Sequence, residues 1–234
     1  MSRMQSFARA FGLGLIGVVA LVLIAVPPEG IPRILLAVNP LILLALLGFL
    51  GAWSAPKLGL RSALILGDSI ETAPLMRAFG LTILIGAAIS LGDFLTQDYW
   101  LPEGVERTES LSDAVSLQGL LFGVTYGGIT EEVMMRFGLM SGIMLALSRF
   151  LSRNTAANGA IIFAALLFAA GHLPAVLASG LALEPAMLLR VLFLNSVLGI
   201  WFGWLYYRHN LETAITAHAG FHVGAFLLGT LWGS

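Results

Sequence analysis

Seven apolar stretches govern what this chain can fold into: roughly Phe11 to Val26, Ile34 to Trp53, Leu75 to Leu95, Leu117 to Leu147, Ala156 to Leu177, Met187 to Tyr207 and Leu211 to Trp232. Each reads as a bilayer crossing at the ~20 residues a transmembrane helix needs. The runs lack a two-residue alternation, and an open strand in lipid would leave backbone N–H and C=O groups unpaired, so helices are the expected state. Composition agrees: 58% of residues are hydrophobic and 11% are charged, with a mean hydropathy of +0.92, which makes the bilayer the solvent. The expected fold is an all-α, polytopic transmembrane helical bundle of about seven spans, within a range of six to eight at ~20 residues each. Residues 1–234 are expected to form a single membrane domain, because no repeat, low-complexity tract or linker divides them. The fourth run is too long for one straight span.

Charge informs by its location rather than its sum. The formal net charge of −1 gives no support for a nucleic-acid partner. With the N-terminus in the cytoplasm, Arg3, Arg9, Lys57, Arg61, Arg77, Arg149, Arg153 and Arg208 fall inside, against Arg33, Arg107 and Arg190 outside, a bias that favours this orientation. The third connection carries Asp98, Glu103, Glu106, Glu109 and Asp113 with Arg107 alone opposing, which suits a solvated exterior loop. Arg3 and Arg9 precede the first run, and Pro27 and Pro28 follow it in place of a small-residue cleavage site, so an uncleaved first span is expected. The chain has no cysteine, which removes disulfides, thiolate catalysis and zinc–thiolate sites. Small residues recur as Gly123/Gly127, Gly138/Gly142, Gly199/Gly203 and Gly220/Gly224, a spacing that lets helices approach closely in lipid, so tight packing is expected in the second half.

The run Thr130-Glu131-Glu132-Val133-Met134-Met135-Arg136 places two carboxylates and a guanidinium in an apolar span, where each charge costs roughly 2.5 kcal/mol or more at the bilayer centre. Glu132 and Arg136 are i, i+4 neighbours in the favourable order and can neutralise each other. Glu131 lies about 100° round the helix and lacks that partner. A desolvated carboxylate without a cation beside it is suited to take a proton from water, which makes Glu131 the candidate general base. The alternative is that both glutamates are packing groups held by Arg136 and backbone donors.

The fifth run ends in Phe168-Ala169-Ala170-Gly171-His172-Leu173-Pro174, a histidine just before a helix-breaking proline. The last run holds His218-Ala219-Gly220-Phe221-His222, two imidazoles one turn apart on one face. That spacing serves either a metal-ligand pair or two hydrogen-bond donors facing one substrate. Three of the four histidines and the adjacent glutamates thus fall within spans, which favours a shared interior site. His209, beside Arg208 in a connection, is expected to meet headgroups. Depth is the discordant measure: at ~1.5 Å per residue, Glu131 lies ~27 Å from Arg149, whereas His218 lies ~15 Å from Arg208. A bend near Gly127-Gly128 or Gly138, a tilted last helix or displaced inner ends would reconcile the two.

These residues resemble the CAAX-prenyl-protease and bacteriocin-processing (CPBP, or Abi) family of intramembrane proteases. Its EExxxR motif matches Glu131, Glu132 and Arg136, and its FxxxH motif matches Phe168 and His172. The family's last motif is a histidine followed four residues later by asparagine or another polar residue; here it is His218 with His222, which departs from the commonest form. Gly203-Trp204-Leu205-Tyr206-Tyr207-Arg208, with Asn210-Leu211 and Ala214-Ile215, looks like the family's lead-in to that motif. The catalytic core is expected at about residues 115–232.

The resemblance implies that Glu131 and His172 activate a water for attack on a peptide carbonyl, that His218 and His222 stabilise the oxyanion, and that Glu132 and Arg136 support the local geometry. It also leaves room for a divalent metal. Zinc held by imidazoles of His172, His218 and His222 with the Glu131 carboxylate would keep an open water position, and the metal-free water mechanism is weighed above it. The implied partners are membrane lipids and a peptide or protein substrate, lipidated in the prenyl-protease branch and of the bacteriocin-precursor type in bacteria. The expected location is the bacterial cytoplasmic membrane. A non-catalytic scaffold or chaperone of the same family and a small proton- or cation-coupled transporter using Glu131, His172 and His218 are the competing readings.

Overall fold

Helix ends in this chain are set by short polar punctuation. Ser2 accepts a hydrogen bond from the Gln5 backbone and the Gln5 side chain accepts one from Ser2 N–H, a capping box that starts the first helix well ahead of Phe11. In the computed structural model, which describes residues 1–27, 30–111 and 115–232, the long helices are α1 (Arg3–Ile24), α2 (Val38–Leu58), α3 (Thr72–Leu95), α4 (117–147), α5 (Arg153–Ala170), α6 (Pro185–Arg208) and α7 (Leu211–Trp232). Six of these, all but α4, belong to segments long and apolar enough to cross a membrane. No strand occurs among the described residues. Asp113 of the acidic connection lies outside the described residues; Arg107 of that connection pairs with Asp98 at 2.9 Å.

The α4 run is where the sequence reading needs correction. Its ends, Leu117–Phe122 and Ser141–Leu147, are α-helical, but Gly123–Glu131 and Val133–Met140 are wound as π-helix, with i→i+5 hydrogen bonding. As a straight α-helix the run would extend roughly 45 Å, against ~30 Å of hydrocarbon. The wider winding takes more residues into each turn and shortens the axis. Glu132 nevertheless reaches His218 at hydrogen-bonding distance, so the two motifs meet in the folded bundle. The fifth span also differs from expectation. It breaks after Ala170, and the chain resumes as the short helix Leu173–Ala178, with Pro174 in its first turn where a missing N–H costs nothing.

Glycine sets the helix contacts, and the partners of the second-half glycines include helices of the first half. Gly138 meets the Leu47 backbone of α2, Gly199 meets Ala165 of α5, and Gly224 meets the Ile83 carbonyl of α3. Across the α3–α7 seam the relation is reciprocal, since Gly86 of α3 lies against the backbone of Phe221. The helix that bears both C-terminal histidines is therefore laid backbone to backbone on α3. Deeper in the bundle, Leu44, Phe137, Met140, Met144, Phe202 and Tyr206 are fully buried, while Leu46, Leu84, Phe163 and Leu189 face outward as lipid contact requires.

Each end of the bundle has its own charge network. At one end, Arg61 Nε donates to the His209 carbonyl and pairs with Glu71 at 2.9 Å, and the buried Glu212 carboxylate accepts from Ser62 Oγ at 2.7 Å and from the Leu64 backbone. At the other, Arg33 caps the carbonyl end of α1, and Arg190 of α6 pairs with Asp93 of α3 while lying 4.0 Å from the Trp100 ring. Arg190, near the start of α6, is thus neutralised by a carboxylate of a neighbouring span.

Two outcomes follow from this packing. Gly224→Leu, which drives a side chain into the Ile83 carbonyl, is expected to cost about 1–3 kcal/mol or more and to lower the melting temperature in detergent, whereas Gly12→Ala, which meets open space, leaves it unchanged. In this cysteine-free chain, Glu106→Cys and Arg149→Cys are expected to react with a membrane-impermeant maleimide from opposite faces of a sealed vesicle.

Candidate active site

The site is built round a carboxylate with no exposed surface. Glu132, between the two π-wound stretches of α4, is 0% exposed, and its Oε1 accepts a 2.9 Å hydrogen bond from His218 Nδ1 of α7. Its Oε2 lies 3.2 Å from Arg136 Nε, an ion pair between two groups that are both sealed from solvent. Arg136 in turn approaches the Gly199 carbonyl of α6 at 3.4 Å and sits over the Phe168 ring, 4.7 Å from its centroid. An isolated ion in this setting would be very costly; the pair, the carbonyl and the ring face offset that cost. Glu132 and Arg136 are therefore in the i, i+4 relation the sequence suggests, and Glu132 also holds a histidine.

The three interior histidines are brought to one place by different means. His172 follows the last turn of α5, and its Nδ1–H donates to the Phe168 carbonyl at 2.8 Å. A carbonyl only accepts, so the proton is on Nδ1 and the neutral ring keeps the Nε2 lone pair. His218 is fixed in the same sense by the Glu132 carboxylate. Its ring is stacked between Phe202, at 4.5 Å and 18°, and His222, at 5.2 Å and 17°. Gly123 and Gly127 make this possible, because a Cβ on either would run into the imidazoles of His222 and His218.

A cavity of about 130 Å³ is enclosed by these groups, lined by Glu131, His172, Asn195, His218 and His222 together with Phe122, Phe168 and Phe202. All the sequence-designated candidates other than Glu132 and Arg136 thus line one space, with those two directly behind it. The Glu131 carboxylate makes no hydrogen bond or ion pair to any described residue. Thr130, one position earlier, anchors this part of α4 by donating to the Gly14 carbonyl of α1 at 2.6 Å. A more polar space of about 250 Å³, lined by Ser90, Ser116 and Gly119, shares His222 as a wall. A larger cavity of about 710 Å³ between α3 and α6 is nearly all apolar and does not include the glutamate–histidine set.

Asn195 is the site residue the sequence reading missed. A lone amide in the otherwise apolar α6 run was the available signal. The His218 and His222 rings are nearly parallel, and no three His, Asp or Glu groups among the described residues cluster as a metal site.

What the arrangement offers is an unpaired carboxylate, an imidazole with a free Nε2, and two stacked imidazoles facing the same small space. Those are the elements of general-base hydrolysis of an acyl bond. No curated protein and no solved structure matches the chain. Residues 113–224 match the family model described as type II CAAX prenyl endopeptidase Rce1-like, and that matched segment holds every motif residue of the site.

Proposed function

We propose that this integral membrane protein is an intramembrane endopeptidase that hydrolyses a peptide bond with water activated by Glu131 and His172. The observation that carries the reading is the enclosed cavity in which an unpaired glutamate faces three imidazoles. Water held between Glu131 and His172 attacks the carbonyl carbon and gives its proton to the Glu131 carboxylate. The C=O π-bond opens onto oxygen, and that oxyanion is met by His218 and His222. With Nδ1–H held by the Glu132 carboxylate, the Nε2 end of His218 is the one turned to the developing charge. Collapse of the intermediate breaks the C–N bond, and the proton on Glu131 passes to the leaving amine. Water is the only co-reactant.

Among the described residues no three-ligand cluster forms, which supports the metal-free form. The substrate class follows from the family description, a CAAX prenyl endopeptidase: a peptide or protein held at the membrane, with a prenylated C-a-a-X terminus as the first probe. The charge bias supports a cytoplasmic N-terminus.

Detergent-purified protein is expected to cleave a farnesylated C-a-a-X peptide or an unprenylated fluorogenic peptide. Glu131→Gln and His172→Ala should each lower kcat/KM by ~100-fold or more while keeping the wild-type melting temperature; wild-type-like turnover by either variant would sink the assignment and favour a scaffold. Activity is further expected to survive chelation, with substoichiometric metal in the preparation. Stoichiometric zinc that is lost in His222→Asn would reverse the choice of chemistry.

A further inference from the structure

A peptide drawn into a membrane-buried site loses water as a hydrogen-bond partner, and an extended segment also lacks intrahelical partners. Its backbone N–H and C=O groups must then be met by the protein. In the cavity described above, Glu131 and His172 face the water, and His218 and His222 face the carbonyl oxygen. Asn195 is the one remaining polar side chain on its lining. Its orientation is set by its own helix: Nδ2 donates to the Val191 carbonyl at 2.8 Å, and because that carbonyl only accepts, the NH2 group must face it. The amide oxygen is thereby turned the other way, and no described residue donates to it. A half-buried acceptor held in one orientation on the wall of a small cavity is complementary to an N–H donor.

We propose that Asn195 Oδ1 accepts a backbone N–H of the bound substrate next to the scissile bond, making Asn195 a positioning and specificity-determining residue. The inference rests on the peptidase reading. Asn195 lies on α6 and the oxyanion donors on α7, so a substrate backbone passing between the two helices presents its carbonyl to one and its N–H to the other. Sequence selection follows without any side-chain pocket: proline, which has no N–H, is disfavoured at the position whose amide meets Asn195.

The test couples enzyme and substrate changes. A fluorogenic peptide that the wild type cleaves is prepared with a single N-methyl group at each backbone amide within about two residues of the scissile bond. At one position, methylation is expected to lower wild-type kcat/KM by about tenfold or more. The same methylation should cost Asn195→Leu less than about twofold, with its activity on the parent peptide already reduced to a similar degree. Equal methylation penalties in wild type and Asn195→Leu at every amide would overturn the inference. So would uniform tolerance of methylation by the wild type, a measurement that needs no variant. Failure of the wild type to cleave any peptide would instead remove the peptidase reading and this inference with it.

Discussion

The buried Glu132 carboxylate is the interaction on which the rest of the site depends. It joins α4 to α7 through His218, and through Arg136 it extends to the carbonyl of Gly199 on α6 and the ring of Phe168 on α5. In hydrocarbon neither ion is tolerable alone, and breaking such a pair leaves an uncompensated charge at a cost of about 3–5 kcal/mol. The four helices that carry the chemistry are thus tied at one electrostatic knot. The same bond sets the proton position on His218, so bundle geometry and imidazole chemistry cannot be varied independently.

The π winding of α4 is the backbone counterpart of that knot. It flanks two adjacent glutamates, with Glu132 turned into the bundle and Glu131 onto the cavity wall. Aromatic rings then do the work that water would do elsewhere. Phe202 and His222 sandwich the His218 ring, and Phe168 lies edge-on to both His172 and His218. Motion of any one imidazole would require its neighbours to move as well, which favours a preorganised site over one assembled on binding.

Much of this was legible in the sequence, and what was not has definite physical causes. Span positions follow from apolar run length, and the Glu132–Arg136 pair and the shared face of His218 and His222 follow from helical periodicity. The Ser2/Gln5 capping box is equally local and was readable, yet the apolar run drew the start of α1 to Phe11. The π winding has no such signature, because a run that is apolar on all sides carries no period to distinguish i+4 from i+5. The contacts Glu132–His218, Asp93–Arg190 and Ser62–Glu212 join residues distant in sequence, so their existence is decided by helix packing. Asn195 stood out as an isolated amide, but its meaning depends on which way α6 is rotated.

The glycine and threonine contacts of α4 and α7 with α1, α2 and α3 have a consequence for how this chain is divided. The segment that matches the family model carries every reacting group, yet it lacks half of its own walls: Thr130 is satisfied by Gly14, Gly138 by Leu47 and Gly224 by Ile83. Cut free, that segment would present a hydroxyl and bare backbone grooves to lipid. The first three helices are therefore a chemically silent mould. Apart from Asp93, which pairs with Arg190, they act on the site through backbone shape, and a search confined to reacting groups would overlook the part of the chain on which the site's form depends.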